Sequence, residues 1–200
     1  MLKLYVLRHE ERDLHDPSFN IHLTTNGKER ANGVLKEELE KLNITHVYTS
    51  PFIRCLQTIH PYCKSRGIKP MVDYSLYEYL DHRIFRYQTA RRTLYTTEQY
   101  HYEVDLNYKS VYKTPPVCMP IETSDEVKGR VKEFVGTHLL TDTGIEKTVL
   151  LCTHQAIVEM LLEEFHGTKP DGSYPMGLVS PLSCPGSGGS ADLSLNPLSY

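Results

Sequence analysis

The stretch LKLYVLRH, residues 2–9, predicts the first strand of a sheet and contains the first candidate functional residues. Its apolar residues alternate and a β-branched valine lies near its end, which is the pattern of a β-strand. Such a strand would deliver Arg8 and His9 to the carboxyl edge of a sheet, where ligands bind in open α/β proteins. An arginine beside a histidine there offers a fixed fork of donors next to a potential nucleophile.

Further motifs follow this strand in a fixed order, each beside a predicted strand end or helix start. They are LTTNGKERA at 23–31, SPFIRCLQT at 50–58, Glu78 in the run YEYL, and Thr153-His154 after the apolar run 149–152. A lone Arg-His pair is weak evidence, and so is each of the other motifs by itself. Their joint order makes a chance similarity improbable.

Taken together, these motifs resemble the histidine phosphatase superfamily, the phosphoglycerate-mutase-like proteins, over roughly residues 2–166. The resemblance implies a single three-layer α/β domain. The alternation of predicted strands and helices independently favours a mainly parallel sheet with helices on both faces. We therefore expect a phosphoglycerate-mutase-like domain at 1–169, an insert or cap over the site at 74–120, and a low-order tail at 170–200.

Local patterns predict where the first elements begin and end. Thr24 or Thr25 can cap an amphipathic helix that carries apolar residues to Leu42. Ser50 is predicted to cap the next helix with Pro51 in its first turn, and Ser124 to cap a later one. Strands are expected at Thr45–Thr49, around Met71-Val72 and at Thr148–Cys152, and Met176–Val179 is a short, proline-flanked candidate for a closing strand.

Composition excludes several classes of function. The formal charge of −3 and the pI near 6.4 argue against bulk nucleic-acid binding. No stretch approaches the roughly 20 apolar residues of a membrane span, and no signal-peptide pattern opens the chain, so we expect a cytoplasmic protein without a membrane partner. The five cysteines are scattered, which predicts reduced, mostly buried thiols.

The resemblance implies roles for the residues of these motifs. His9 would be the nucleophile that forms a phosphohistidine, and Arg8 and Arg54 would bind the phosphate bidentately. His154 would complete the pocket and donate to a phosphate oxygen. Glu78 matches the acid that protonates the leaving group, with Glu98, Glu103 and Glu122 in less suitable segments. No cofactor is implied, and we expect no metal, since arginines supply the charge that a metal would otherwise provide.

The chain departs from the family pattern at two positions. Glu10 follows His9 where the family usually has glycine, and Gln155 likewise follows His154. A glutamate stiffens the loop, and we expect its carboxylate to point outward, away from Arg8 and Arg54. Arg12 matches the histidine-glycine-glutamate-arginine run of phosphatase-type members. These three residues, Glu10, Arg12 and Gln155, are therefore candidate substrate contacts.

The expected function is a metal-independent phosphatase that hydrolyses phosphomonoesters through a phosphohistidine intermediate. The expected partner is a phosphorylated small molecule, with a phosphopeptide or a nucleotide as further candidates because tyrosines and cations alternate after residue 74. Two alternatives stay open. One is a mutase that moves phosphate between the hydroxyls of a phosphoglycerate, and the other is a catalytically weak module that binds a phosphorylated ligand.

Overall fold

A five-stranded sheet in the order β3-β2-β4-β1-β5 lies at the centre of the computed structural model. Residues 2–13, 21–79, 101–112, 122–140, 146–167 and 172–182 are described. The strands are β1 Leu2–Arg8, β2 His46–Thr49, β3 Met71–Val72, β4 Lys147–Thr153 and β5 Val179–Leu182. All neighbouring strands pair in parallel except β5, which is antiparallel to β1. The predicted mainly parallel sheet is confirmed.

Helices cover both faces of this sheet. They are α1 Thr25–Asn32, α2 Val34–Glu40, α3 Ile53–Arg66, α4 Ser124–Phe134, continued by a π-helical turn at Val135–Leu139, and α5 Gln155–His166. Successive residues of a strand point to opposite faces. Val6 accordingly packs in the core under α4 and α5, whereas Leu7 packs in the core under α2 and α3. The three-layer architecture is thus confirmed, with one apolar core on each side of the sheet.

The strand register brings the candidate site together. In the parallel pair of β1 and β4, Arg8 lies opposite Thr153, so that His9 and His154 leave the same edge side by side. The backbone N–H of His9 donates to the Thr153 carbonyl at 3.0 Å, and Ser50 N–H donates to the Cys152 carbonyl at 2.9 Å. Residues far apart in the chain therefore meet at one sheet edge because parallel strands end there together.

Several local predictions are wrong in detail. The first helix is divided at Gly33, whose φ of −108° and ψ of −105° leave the helical region. Glycine has a low helix propensity and tolerates this break. Thr24 caps α1 as predicted, accepting a hydrogen bond from Gly27 N–H at 3.0 Å.

The predicted caps of the later helices are also corrected. α3 begins at Ile53 after Phe52, which makes no side-chain cap. Ser50 does not cap that helix, because its hydroxyl accepts a hydrogen bond from Phe52 N–H, before the first helical residue, and also contacts His154. Thr123, and not Ser124, caps α4, in a reciprocal capping box with Glu126.

The closing strand lies in the segment for which we expected low order. β5 at Val179–Leu182 begins where the candidate Met176–Val179 ends, and it pairs with β1. Pro181 is exposed on this edge strand, where a missing N–H is tolerated. The sheet therefore extends past residue 169, while residues 183–200 lie outside the described part.

Two further predictions are tested only in part. Cys55, Cys63 and Cys152 are free and buried, as expected, whereas Cys118 and Cys184 lie outside the described residues.

Most of the predicted cap at 74–120 also lies outside the described residues. Its residues 101–112 are anchored to the sheet edge, where the Asp73 carboxylate accepts hydrogen bonds from the Tyr108 hydroxyl and from Val111 N–H. Within the described ranges, no helix is long and apolar enough to cross a membrane.

Candidate active site

His9 is fully enclosed at the end of β1, with 1% of its surface exposed. Its Nδ1 lies 2.7 Å from the Glu10 carbonyl oxygen. A carbonyl only accepts, so Nδ1 carries the proton and Nε2 keeps its lone pair. Burial, followed by the positive charge of Arg54, holds the pKa of His9 well below its usual range. The ring is therefore neutral near pH 7, which is the state required of a nucleophile.

The loop that carries His9 is held mainly through its backbone. The N–H of Glu10 donates to the Thr58 hydroxyl at 2.9 Å, and that hydroxyl donates to the Arg54 carbonyl at 2.7 Å. Thr58 thus connects the His9 loop to the first turns of α3. The same helix places the Arg54 side chain, which is 4% exposed, within hydrogen-bonding distance of the His154 ring.

His154, at the end of β4, has the opposite tautomer. Its Nδ1 accepts a hydrogen bond from the Arg54 guanidinium at 3.0 Å, since arginine only donates. Its Nε2 therefore carries the proton and donates to the Ser50 hydroxyl at 2.7 Å. The centroids of the His9 and His154 rings lie 5.3 Å apart. Burial, and then the charge of Arg54, lowers the pKa of His154 well below its usual value.

Glu78 lies beside the same ring nitrogen of His154 that accepts from Arg54. One of its carboxylate oxygens is 3.8 Å from His154 Nδ1, and its side chain is 19% exposed. Burial raises the pKa of this carboxyl, while Arg54 opposes the rise. A glutamate that holds its proton above the usual range, beside a neutral histidine and an arginine, can serve as a general acid. The structure places Glu78 with the other predicted site residues.

A buried ion pair supports the segment before Glu78. The Arg130 guanidinium donates to both oxygens of Glu122, at 2.8 and 3.0 Å. It also donates to the backbone carbonyls of Ser75 and Glu78. The Tyr77 hydroxyl donates to Glu122, and its ring lies 3.7 Å beneath the Arg130 guanidinium carbon. Glu122 is therefore committed to this pair and does not compete with Glu78 as the acid.

Arg8 reaches the site from the end of β1 and is only partly buried. One guanidinium nitrogen donates to the Tyr174 carbonyl and lies 3.3 Å from the Ser173 hydroxyl. Its Nε is buried and has no hydrogen-bond partner among the described residues. The segment before β5 thus anchors one end of Arg8 and leaves a donor for a ligand.

The expectation for Glu10 is met only in part. Its Oε2 lies 3.2 Å from Arg30 Nε on α1 and so pairs with a cation other than Arg8 or Arg54, as expected. Its side chain is nevertheless buried, at 1% exposure, and does not face solvent. A carboxylate can be buried there because an opposite charge on the neighbouring helix compensates it.

The remaining predicted contacts are placed less directly. Gln155 donates to Glu159 one turn further along α5, at 2.9 Å. Arg12 lies near enough to lower the pKa values of His9 and Glu78 by its charge. The Glu11 carboxylate accepts hydrogen bonds from the Thr24 hydroxyl and the Asn26 amide at the start of α1.

Some site residues were missed at the level of sequence. Thr58, Ser50 and Arg30 belong to the quoted motifs, but nothing in the motifs shows which groups they bind. Gly27 also belongs to these motifs. A side chain is excluded at this position for a steric reason, because a Cβ there would lie 2.3 Å from the Glu11 carbonyl oxygen. Arg130 belongs to none of the motifs, and its role could not be predicted because its partners are brought together only by the fold. Within the described residues no cluster of histidine, cysteine or carboxylate side chains has the arrangement of a metal site.

Comparison with known proteins agrees with this geometry. A family profile described as histidine phosphatase superfamily (branch 1) matches residues 4–184. The chain therefore belongs to the histidine phosphatase superfamily. A search of the curated proteins gave no significant match.

Solved structures share the fold at low sequence identity. The ecdysone phosphate phosphatase of Bombix mori, solved with tungstate, has a TM-score of 0.65 and 17% identity, over 96% of both chains. A putative alpha-ribazole-5'-P phosphatase from Escherichia coli has a TM-score of 0.63 and 19% identity, over 90% of both chains. A mycobacterial glucosyl-3-phosphoglycerate phosphatase has a TM-score of 0.58 and 17% identity, over 90% of this chain and 89% of its own. At these identities the likeness shows the fold alone.

Proposed function

We propose that the protein hydrolyses phosphomonoesters without a metal ion, through a phosphohistidine formed on Nε2 of His9. The observation that carries this proposal is the state of the His9 ring. It is buried and neutral, its Nδ1–H is bound by the Glu10 carbonyl, and Nε2 is left with its lone pair. Arg54 and Arg8 both act on this ring by their charges, so cations surround the place where a phosphoryl group would be attacked.

The proposed reaction has two balanced steps. In the first, Nε2 of His9 attacks phosphorus, the bond from phosphorus to the leaving oxygen breaks, and Glu78 gives its proton to that oxygen. In the second, water attacks the phosphohistidine, Glu78 takes a proton from the water, and the bond from phosphorus to Nε2 breaks. Inorganic phosphate leaves, and both residues return to their starting states.

Arginines and His154 would stabilise the charge of the transferring group. Burial lowers the pKa of Arg54 to about 10, which still leaves it charged at neutral pH. Its hydrogen bond to His154 would be exchanged for one to phosphate, and the bound anion would favour protonation of His154 Nδ1. Preorganised donors of this kind supply a large part of catalysis in phosphoryl transfer.

The substrate class that we propose is a phosphorylated small molecule. The described phosphatases of this fold act, by their names, on ecdysone phosphate, alpha-ribazole phosphate and glucosyl-3-phosphoglycerate, so a shared fold does not select one substrate. We expect the segment after Glu78 to shape substrate choice, and residues 80–100 and 113–120 of it lie outside the described part. A panel of phosphorylated metabolites, nucleotides and phosphopeptides is the experiment that would identify the preferred class.

Turnover and covalent labelling test the proposal together. The protein should release phosphate from p-nitrophenyl phosphate, and rapid quenching at alkaline pH followed by mass spectrometry should find one acid-labile phosphate on the peptide that contains His9. Tungstate or vanadate binding without any turnover would instead identify a phospho-ligand-binding module. Dependence of turnover on a bisphosphoglycerate primer would identify a mutase.

A further inference from the structure

Glu10 connects the nucleophile loop to α1 through a sparsely satisfied ion pair. One carboxylate oxygen, Oε2, is 3.2 Å from Arg30 Nε. The other, Oε1, is buried and has no hydrogen-bond partner among the described residues. The Arg30 side chain is 30% exposed, whereas that of Glu10 is 1% exposed. Arg30 thus supplies most of the compensation for a buried charge, and the backbone N–H of Glu11 adds to it.

The backbone of the same residue controls the nucleophile. The Glu10 carbonyl accepts the hydrogen bond from His9 Nδ1, at 2.7 Å, and the Glu10 N–H is fixed by Thr58. Any rotation of the peptide group after Glu10 would withdraw the acceptor that keeps the proton on Nδ1. The conformation of residue 10 therefore determines whether Nε2 or Nδ1 holds the lone pair.

Gly177 closes the other side of the Glu10 carboxylate. A Cβ at this position would lie 2.2 Å from Glu10 Oε1, and the φ of Gly177 is +71°. Its N–H donates to the Arg8 carbonyl at 3.0 Å and also reaches the His9 carbonyl at 3.3 Å. Only glycine fits this turn, which leaves room for a carboxylate at position 10 and binds the loop backbone at the same time.

We infer that Glu10 and Arg30 form a positioning pair for the nucleophile. The ion pair fixes the Glu10 side chain between α1 and the Gly177 turn, and the Glu10 carbonyl thereby holds His9 in the reactive tautomer. This role rests on the proposed function, and it assigns to a chain-specific glutamate a task that does not involve contact with substrate. Burial raises the pKa of Glu10 while Arg30 lowers it, which agrees with Arg30 as the partner that keeps the carboxylate charged.

The test removes the cation and then the charge that it compensates. Arg30→Met leaves an unpaired buried carboxylate, which should move toward solvent or become protonated and so displace the loop. We expect kcat for p-nitrophenyl phosphate to fall roughly 10- to 100-fold, since small misplacements of a reacting group have effects of this size. KM should change far less. Lys28→Met, at an exposed position of the same helix, is the matched control and should leave kcat unchanged.

Rescue distinguishes the ion pair from a loss of packing. Glu10→Gln added to Arg30→Met should recover most of the lost kcat, because a neutral amide does not require a cation. If the double variant is no better than Arg30→Met, the pair has no positioning role. Should Arg30→Met fail to fold, Arg30→Lys is expected to stay within a few-fold of the unaltered protein, and the double variant then decides between the two outcomes.

A spectroscopic measurement separates this inference from the proposed function. The ¹⁵N shifts of the His9 ring report which nitrogen is protonated, with or without turnover. We expect the Nδ1–H tautomer in the unaltered protein and in Lys28→Met, and a mixture of tautomers in Arg30→Met. An unchanged tautomer in Arg30→Met would overturn the inference. Absence of turnover in the unaltered protein would overturn the proposed function and leave the tautomer measurement valid.

Discussion

The two glutamate–arginine pairs beside the site differ in how completely their hydrogen-bonding groups are satisfied. Glu122 and Arg130 share two hydrogen bonds, with side chains 5% and 2% exposed, and Tyr77 adds a further donor. Glu10 and Arg30 share one contact, and one oxygen of Glu10 has no partner among the described residues.

The difference separates structural support from control of the nucleophile. A buried pair with every group satisfied resists rearrangement, and its removal leaves an uncompensated charge in the core. On the acid side, this pair fixes the backbone that carries Glu78. On the side of the proposed nucleophile, backbone hydrogen bonds hold the loop that carries His9. The ion pair fixes only the orientation of the Glu10 side chain. Substitutions on the two sides should therefore have different signatures.

The largest effect is expected on the nucleophile side, from His9→Ala. Turnover of every phosphate ester should fall on the order of 10⁴-fold or more, because no other group in the site can form the covalent intermediate. The variant should also lose the acid-labile phosphate. His46→Ala, at the opposite end of the parallel strands, is the control and should keep both. Full activity of His9→Ala would disprove the proposed mechanism.

On the acid side, Glu78→Gln should discriminate between substrates. An alkoxide leaving group needs a proton, so phosphorylation of His9 by an alkyl phosphate should slow on the order of 10²–10⁴-fold. The initial burst of p-nitrophenol reports the same step with a leaving group that needs no proton, and it should be nearly unaffected. Glu103→Gln, at an exposed alternative glutamate, serves as control. Equal losses for both substrates would assign Glu78 to binding or to structure.

The pH dependence provides an independent check on Glu78. Its folded-state pKa is raised above the usual glutamate value, so the protonated acid persists to higher pH and is lost as the pH rises through that raised pKa. The kcat for an alkyl phosphate should therefore fall along this basic limb. The limb should be absent with p-nitrophenyl phosphate and in Glu78→Gln. A basic limb that survives in Glu78→Gln belongs to a different group.

The sequence allowed the prediction of those site residues that follow strands or begin helices. The ends of β1 and β4 place His9 and His154 at one edge because parallel strands share direction, and Arg54 follows β2 for the same reason. The supporting residues could not be predicted in this way. Arg130 and Gly177 reach the site through contacts distant in the chain. The outward orientation expected for Glu10 rested on crowding and charge repulsion, and nothing in the sequence showed that Arg30 would face its carboxylate.

The intermediate effect concerns stability and contrasts the two ion pairs directly. Arg130→Met leaves Glu122 buried without its cation, which should lower the free energy of unfolding by about 3–5 kcal/mol. Arg30→Met should cost less, because Arg30 is partly exposed and water can reach its surroundings. Chemical denaturation measures both. Lys132→Met, which removes an exposed ion pair on the same helix as Arg130, should change stability by less than about 1 kcal/mol. Equal losses of unfolding free energy in Arg30→Met and Arg130→Met would show that the two pairs contribute equally to stability.

The smallest effect is expected from a chelator. Each side of the site contributes an arginine: Arg8 ends β1 directly before His9, and Arg54 donates to His154. Their charges can stabilise the equatorial oxygens of the transferring group, the task that divalent ions perform in metal-dependent phosphatases. Turnover should therefore stay unchanged in excess EDTA, and vanadate, which mimics the pentacoordinate phosphorus, should inhibit. Arg54→Met should abolish that inhibition more completely than Arg8→Met, because Arg54 is buried and bound to His154, whereas Arg8 is shared with the Tyr174 carbonyl. Loss of turnover in EDTA, restored by magnesium or zinc, would show that the arginines alone are insufficient.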